Sequence, residues 1–370
     1  MNAGPAFAPP QSAAHPLAIA QFRAWRVKEP VSGRRYTVVR LQSQSGDTGY
    51  GEGGPAAAAE IVEARGAVIG RRAYESEFIR ARLAAIPAME AAVGNAMLDL
   101  VSKSRKLPIY QYLGGPTRFK ARLLAQLEGT DEASIAAPLE RARRRGFLAF
   151  TMPVLQRDAM IPLQEYVDRV RKRVAAMQAM GGAGAEWVLD GASGLTPGDA
   201  AMIATALEKT HLVWFDEPTA VLTTDGLAKI TDESVMPIGI GRKIHDIGTF
   251  QNLLRFGSVN VVRPSLGLNS LAKIKRIAAI AETHYVAVAP YHSCGPIGTL
   301  AGIHLNAALP NSFAQEVPMP AAEGDAAMRA ELTSGDKERA DKGFAALLNR
   351  PGLGFDVNEK ALDAYSEELI

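Results

Sequence analysis

The sequence predicts a closed α/β barrel joined to a smaller α+β domain. Three features carry that expectation. The chain has 370 residues, more than the roughly 250 that an α/β barrel takes as one unit. Its first third reads as strands followed by helices, the pattern of an α+β domain. From Leu123 onward, short apolar runs alternate with amphipathic helical stretches, the pattern of parallel βαβ units.

In the first domain, Ala18–Trp25 and Tyr36–Gln42 partly alternate apolar and polar residues and read as strands. Ser45-Gly46-Asp47 is a turn, and the glycine-rich Gly49–Gly54 reads as a flexible loop. Residues 56–112 read as helices, with a break at Pro87 and a strong helix over Ala88–Lys103. Gly114-Gly115-Pro116 marks the change of rhythm. The apolar runs that follow are Leu123–Leu127, Phe147–Met152, Trp187–Asp190, Leu212–Asp216, Ile238–Gly241, Val259–Val262 and Val286–Ala289. Helices are expected at Ile161–Met180, Pro197–Lys209, Thr249–Arg255 and Ser270–Thr283. Seven such units fit a closed barrel better than an open sheet, and no Gly-x-Gly-x-x-Gly opens the first unit. The expected organisation is a tail over 1–16, a capping domain over 17–120, a barrel over 121–320 and a C-terminal segment over 321–370 that packs on the cap. Residues 311–370 read as mixed helix and loop.

Composition narrows the function. Hydrophobic residues make up 47% of the chain, enough for a large core. Lys and Arg total 41 against 39 for Asp and Glu, so no basic footprint points to nucleic acid or an anionic membrane. The single cysteine, Cys294, forms no intramolecular disulfide and reads as a small buried residue. The Ala/Pro-rich start lacks a signal peptide's basic and apolar regions, and no apolar run reaches the ~18 residues of a membrane span. A soluble, cytoplasmic protein is expected.

In α/β barrels the site lies at the C-terminal ends of the strands. Here those ends carry Thr151, Asp190, Asp216 with Glu217, Arg242 with Lys243, Arg263 with Ser265, and Tyr291 with His292. Carboxylates gathered on one rim repel each other unless a cation sits between them. A divalent metal ion or Arg242 itself fills that role. His245 reads as structural, His211 and His304 as core or supporting residues, and His15 and His284 as surface residues. Arg34 and Arg35 read as surface residues, and the glycines around them and after Gly49 as a mobile lid over the substrate.

The motifs resemble the enolase superfamily, in its mandelate racemase/muconate-lactonizing branch. Gly46–Gly53, Ala96–Leu100 leading to Pro108–Gly115, Trp214–Pro218, Ala289-Pro290 followed by Gly295–Gly298, and Pro351–Gly354 carry the resemblance in order and spacing. It implies a modified (β/α)7β TIM-like barrel under an α+β cap, and a homo-oligomer, dimer or octamer. It also implies Mg²⁺ held by three carboxylates on successive strands, which stabilises the enediolate formed when a Lys or His takes the proton beside a substrate carboxylate. Racemisation, cycloisomerisation and dehydration of sugar acids are the implied reactions.

This sequence departs from that pattern at its chemical centre. Two ligand positions fall on Asp190 and Asp216, but the third falls on Arg242, whose guanidinium cannot ligate Mg²⁺. The base positions fall on Thr151, Pro153 and Tyr291, with His292 adjacent, and the Asp that partners the His base falls on Ser265. The expectation is a divergent lyase or isomerase acting on a small hydroxy or sugar acid. In it Arg242 stands where the metal would, His292, Tyr291 or Lys243 moves the proton, and Thr151, Arg263, Ser265 and Tyr50 contact the substrate. Two alternatives remain. One is a conventional Mg²⁺ enzyme using Asp190, Asp216 and Glu217. The other is a non-catalytic ligand-binding barrel.

Overall fold

The computed structural model describes residues 15–369 apart from Ala159. The expected tail over residues 1–16 falls almost wholly outside them. Strands β1 (Ile19–Lys28), β2 (Arg35–Ser43) and β3 (Thr48–Gly53) form an antiparallel meander. A C-terminal strand, Ser366–Leu369, joins its free edge by pairing with β1.

The glycine-rich segment is thus a strand, not a flexible loop. Alternation puts Gly49, Gly51 and Gly53 on one face, and that face lies directly on the helix Pro87–Ser104. A Cβ at these glycines would strike the backbone oxygens of Ala96, Ala92 and Ala88 respectively. Two strand residues advance about 6.7 Å and four helical residues about 6 Å, so the two repeats run antiparallel nearly in step. Gly51→Ala is expected to destabilise the fold by ~3 kcal/mol, because neither backbone can retreat. The midpoint of urea unfolding measures it.

The barrel strands are β4 (Lys120–Gln126), β5 (Ala149–Pro153), β6 (Glu186–Asp190), β7 (Phe215–Asp216), β8 (Ile238–Ile240), β9 (Val261–Val262), β10 (Ala287–Val288) and β11 (Gln315–Pro318). They pair in parallel in sequence order, and β11 lies beside β4. A parallel bridge from Val288 to Ser312, just before β11, closes the ring. The fold is therefore the expected capped α/β barrel. Each of the seven apolar runs overlaps a strand. The eighth strand, β11, lies where mixed helix and loop was expected. Gln-Glu-Val-Pro has no apolar run, because Gln315 and Glu316 are buried as hydrogen-bonding partners of Asn306 and Arg263. The helix Pro296–Ala308 also has no apolar stripe to detect: all its residues are buried. No helix among the described residues is long and apolar enough to cross a membrane.

Arg329, on the helix Glu323–Leu332, ties the C-terminal segment to both domains. Its guanidinium donates to Glu29 of the cap at 2.5 Å, to the Cys294 carbonyl of the barrel at 2.9 Å, and to both Glu338 oxygens at 2.7 Å. Burial pushes the Glu338 carboxyl up, but the charge and hydrogen bonds of Arg329 outweigh it and hold the group at about 2. A depressed carboxyl contributes stability above its unfolded value near 4.5 and loses it as pH falls toward 2. Arg329→Met is expected to cost about 3–5 kcal/mol near neutral pH, since it strands the buried Glu338 carboxylate and leaves Glu29 with Arg34 alone. Stability of the variant should fall less steeply than that of the native protein between those pH values. Chemical denaturation at several pH values checks both.

Candidate active site

Short strands deliver charged residues to one rim because each ends where its apolar run ends. Asp190 is the last residue of β6 and Asp216 the last of β7, and the two are paired in register. Arg242 follows β8 by two residues, Arg263 follows β9 directly, and Glu316 lies within β11. Gly239 makes room for Asp216: a Cβ there would stand 2.6 Å from Asp216 Oδ1 and from the Trp214 ring.

Arg242 bridges the two aspartates. Its Nη1 donates to Asp190 Oδ2 at 2.8 Å, and its Nη2 donates to Asp216 Oδ2. Asp216 Oδ1 accepts from Arg263 Nε at 2.9 Å and Trp214 Nε1 at 3.0 Å. Arg263 also donates to Glu316 and to the Ala289 carbonyl. Arg263, Asp216 and Glu316 are fully buried. The Tyr291 ring stacks under Arg242, with its centroid 4.5 Å from the guanidinium carbon. Burial disfavours every charge here, yet Arg242 and Arg263 hold Asp216 below the usual carboxylate range. Burial pushes Glu316 up, with Arg263 and Arg242 opposing it. Burial, reinforced by the charge of Glu316, also raises the Tyr291 phenol.

Glu217 does not join this cluster as a third carboxylate. Its backbone is left-handed (φ 43°). Oε1 accepts from the backbone N–H groups of Gly241 at 2.6 Å and Arg242 at 2.8 Å, and Oε2 accepts from Ser193 at 3.1 Å. Burial and the Asp216 charge raise its carboxyl. The residues present do not fit Mg²⁺. The space between Asp190 and Asp216 holds a guanidinium, and the remaining carboxylate is spent on backbone N–H groups.

The other expected site residues scatter. Thr151 accepts from the Leu127 N–H at 3.1 Å, and Ser265 from the Gly267 N–H at 3.2 Å, so both brace loops. Lys243 is exposed. Tyr50 donates to Glu359 at 2.5 Å within the cap. His292 is buried against the cap, 3.6 Å from Glu52, and its Nε2–H donates to the Gly295 carbonyl at 2.7 Å. Burial holds its imidazole at about 4. His211 is exposed with φ 55°, not in the core, and His245 is exposed too. His304 is buried as expected, and it stacks on Tyr110. Arg34 is nearly buried and pairs with Glu29 and Glu128, whereas Arg35 is exposed and pairs with Glu367. Cys294 is buried. The residues missed are Glu316 and Gln126, whose Nε2 approaches the Tyr291 hydroxyl at 3.4 Å. The signal for Glu316 was a carboxylate at the eighth strand position of a barrel whose seventh strand was already assigned.

Known proteins agree with this architecture. The chain is 26% identical over 361 residues to a D-galactonate dehydratase of Verminephrobacter eiseniae, covering 93% of each. It is 26% identical over 354 residues to a D-galactonate dehydratase of Ralstonia pickettii, covering 90% of this chain and 92% of that one. A mandelate racemase/muconate lactonizing enzyme-like protein from Rubrobacter xylanophilus superposes with a TM-score of 0.83 at 24% identity, covering 96% and 98% of the two chains. One from Roseovarius sp. TM1035 gives 0.85 at 20% identity, covering 95% and 96%. The model of the enolase C-terminal domain-like family matches residues 134–361, more than half of the chain. By that match, and by motifs and a capped barrel of the mandelate racemase/muconate-lactonizing kind, the protein belongs to the enolase C-terminal domain-like family.

Proposed function

We propose that the protein is a lyase or isomerase for a small hydroxy or sugar acid, working at the barrel mouth with Arg242 as its fixed cation in place of a metal ion. The observation that carries this reading is the guanidinium held between Asp190 and Asp216. Dehydration of a sugar acid is the favoured reaction, because the relatives similar over most of this chain are named D-galactonate dehydratases.

Both terminal nitrogens of Arg242 are engaged, but its buried Nε has no hydrogen-bond partner among the described residues. Neither has Glu316 Oε1 nor Gln126 Oε1. Unpaired buried polar atoms cost about 1–3 kcal/mol each, and a ligand bearing hydroxyl and carboxylate groups would relieve all three. The Nε–H meets a substrate carboxylate oxygen. Glu316, made more basic by burial, takes the proton from the carbon beside that carboxylate. Tyr291, kept as a phenol, gives its proton to the departing hydroxyl. The C–H and C–O bonds break, water leaves, and the enol formed becomes the keto acid. A single guanidinium supplies less charge than a divalent ion, so turnover should be slower than in a metal-dependent relative.

The decisive assay is turnover of a sugar-acid panel with excess EDTA present throughout. Keto-acid formation that survives EDTA and falls at least about 100-fold in Tyr291→Phe is expected. Turnover abolished by EDTA would overturn the reading. Saturable binding of a sugar acid without turnover would favour a non-catalytic barrel, a reading consistent with Thr151 and Pro153 at the usual base positions.

A further inference from the structure

Outside the barrel mouth, a second polar cluster is sealed between the two domains. Glu52 projects from β3 of the cap, while His292 and Cys294 lie in the barrel loop that follows β10. All three are buried, and one donor atom from each lies within 4.8 Å of the other two. Glu52 Oε1 accepts from the Gly295 N–H at 2.7 Å, but Glu52 Oε2 has no partner among the described residues. Nor has His292 Nδ1, whose lone pair is free because Nε2 carries the proton donated to Gly295. The Tyr36 hydroxyl is a third buried atom without a partner. It belongs to the same cluster, since one Cβ placed on Gly295 would touch both its ring and Glu52 Oε2.

Three unpartnered polar atoms in one sealed space are unusual, because buried polar groups are nearly always satisfied by protein, water or an ion. We propose that Glu52, His292 and Cys294 form a structural site for a thiophilic divalent cation, Zn²⁺ by chemistry, that clamps the cap onto the barrel. A thiolate, an imidazole and a carboxylate are a zinc donor set, while Mg²⁺ takes oxygen ligands only. Zinc prefers four donors, and the Tyr36 hydroxyl or a water supplies the fourth. Two anionic donors balance the charge of the ion, which suits a buried place. On binding, the Cys294 thiol gives up its proton and the sulfur bonds the metal; no oxidant or reductant is involved. The site shares no residue with the Arg242 cluster.

The test uses the full-length protein incubated with Zn²⁺ or Co²⁺ and desalted, beside protein expressed in zinc-supplemented medium. The expected result is one equivalent of retained Zn²⁺, a rise in Tm of about 3 °C or more at saturation, and a thiolate-to-Co²⁺ charge-transfer band. Retention is expected to vanish in Cys294→Ser and His292→Gln and to persist in Asp190→Asn. Mg²⁺ should leave Tm unchanged. Retention that persists in Cys294→Ser, or loss of retention in Asp190→Asn, would overturn the assignment. So would native protein that retains no zinc. If the Cys294 and His292 variants fail to fold, the cobalt band of the native protein decides, because it requires a bound thiolate.

Discussion

Replacing Arg242 with alanine is expected to destabilise the folded protein by about 3–5 kcal/mol at neutral pH. Among the described residues, the deletion leaves Asp216 fully buried beside only one cation, Arg263, and leaves Asp190 with no cation in contact. Part of the loss should be recoverable: lowering the pH protonates the stranded Asp216, so the difference between native and variant narrows toward acid. The sign follows from the depressed carboxyl of Asp216 in the native fold. Its contribution is present above the unfolded value near 3.8 and is lost as pH falls through the folded one. Urea unfolding of both proteins at neutral pH and at pH values down to and below 3.8 measures the effect. Equal stability at neutral pH would mean that the bridge contributes nothing, as exposed pairs often do.

Arg263→Met should cost as much or more. The Arg263 side chain is wholly inaccessible and is the only cation in contact with Glu316 among the described residues. Its loss also removes the donors held by Ala289 and by Asp216 Oδ1. Methionine fills much of the volume, so the penalty reports charge more than cavity. Because Arg242 and Arg263 share Asp216, the double variant should differ from the sum of the single ones by at least about 1 kcal/mol. Additive losses would show that the two arginines act independently and that the cluster is not one network.

The barrel was legible in the sequence wherever apolar runs and amphipathic helices made their own signal, which is why Trp187–Asp190 and Val259–Val262 could be placed. It was illegible where burial is polar. The strand Gln315–Pro318 hides two buried hydrogen-bonding side chains behind a polar composition. Gly49–Gly54 reads as a flexible loop in sequence, because glycine chosen for close approach and glycine chosen for mobility are the same letter. That Asp190, Asp216 and Arg242 would meet was legible because register in a parallel sheet brings successive strand ends together. His292 was one residue from the mouth in sequence but faces the other way, since neighbouring residues on an extended segment point to opposite sides. Glu217 turns away for a different reason: its left-handed backbone aims the side chain at the backbone of the next strand's loop.

A guanidinium occupying the position between the two aspartates leaves no place for a metal ion, and Mg²⁺ titration by calorimetry tests that most directly. The native protein should show no saturable Mg²⁺ binding, whereas Arg242→Glu, which returns a third carboxylate to the rim, should bind one ion and gain stability from it. One-to-one Mg²⁺ binding by the native protein, lost in Asp190→Asn, would show that a metal ion and not Arg242 is the cation of the site.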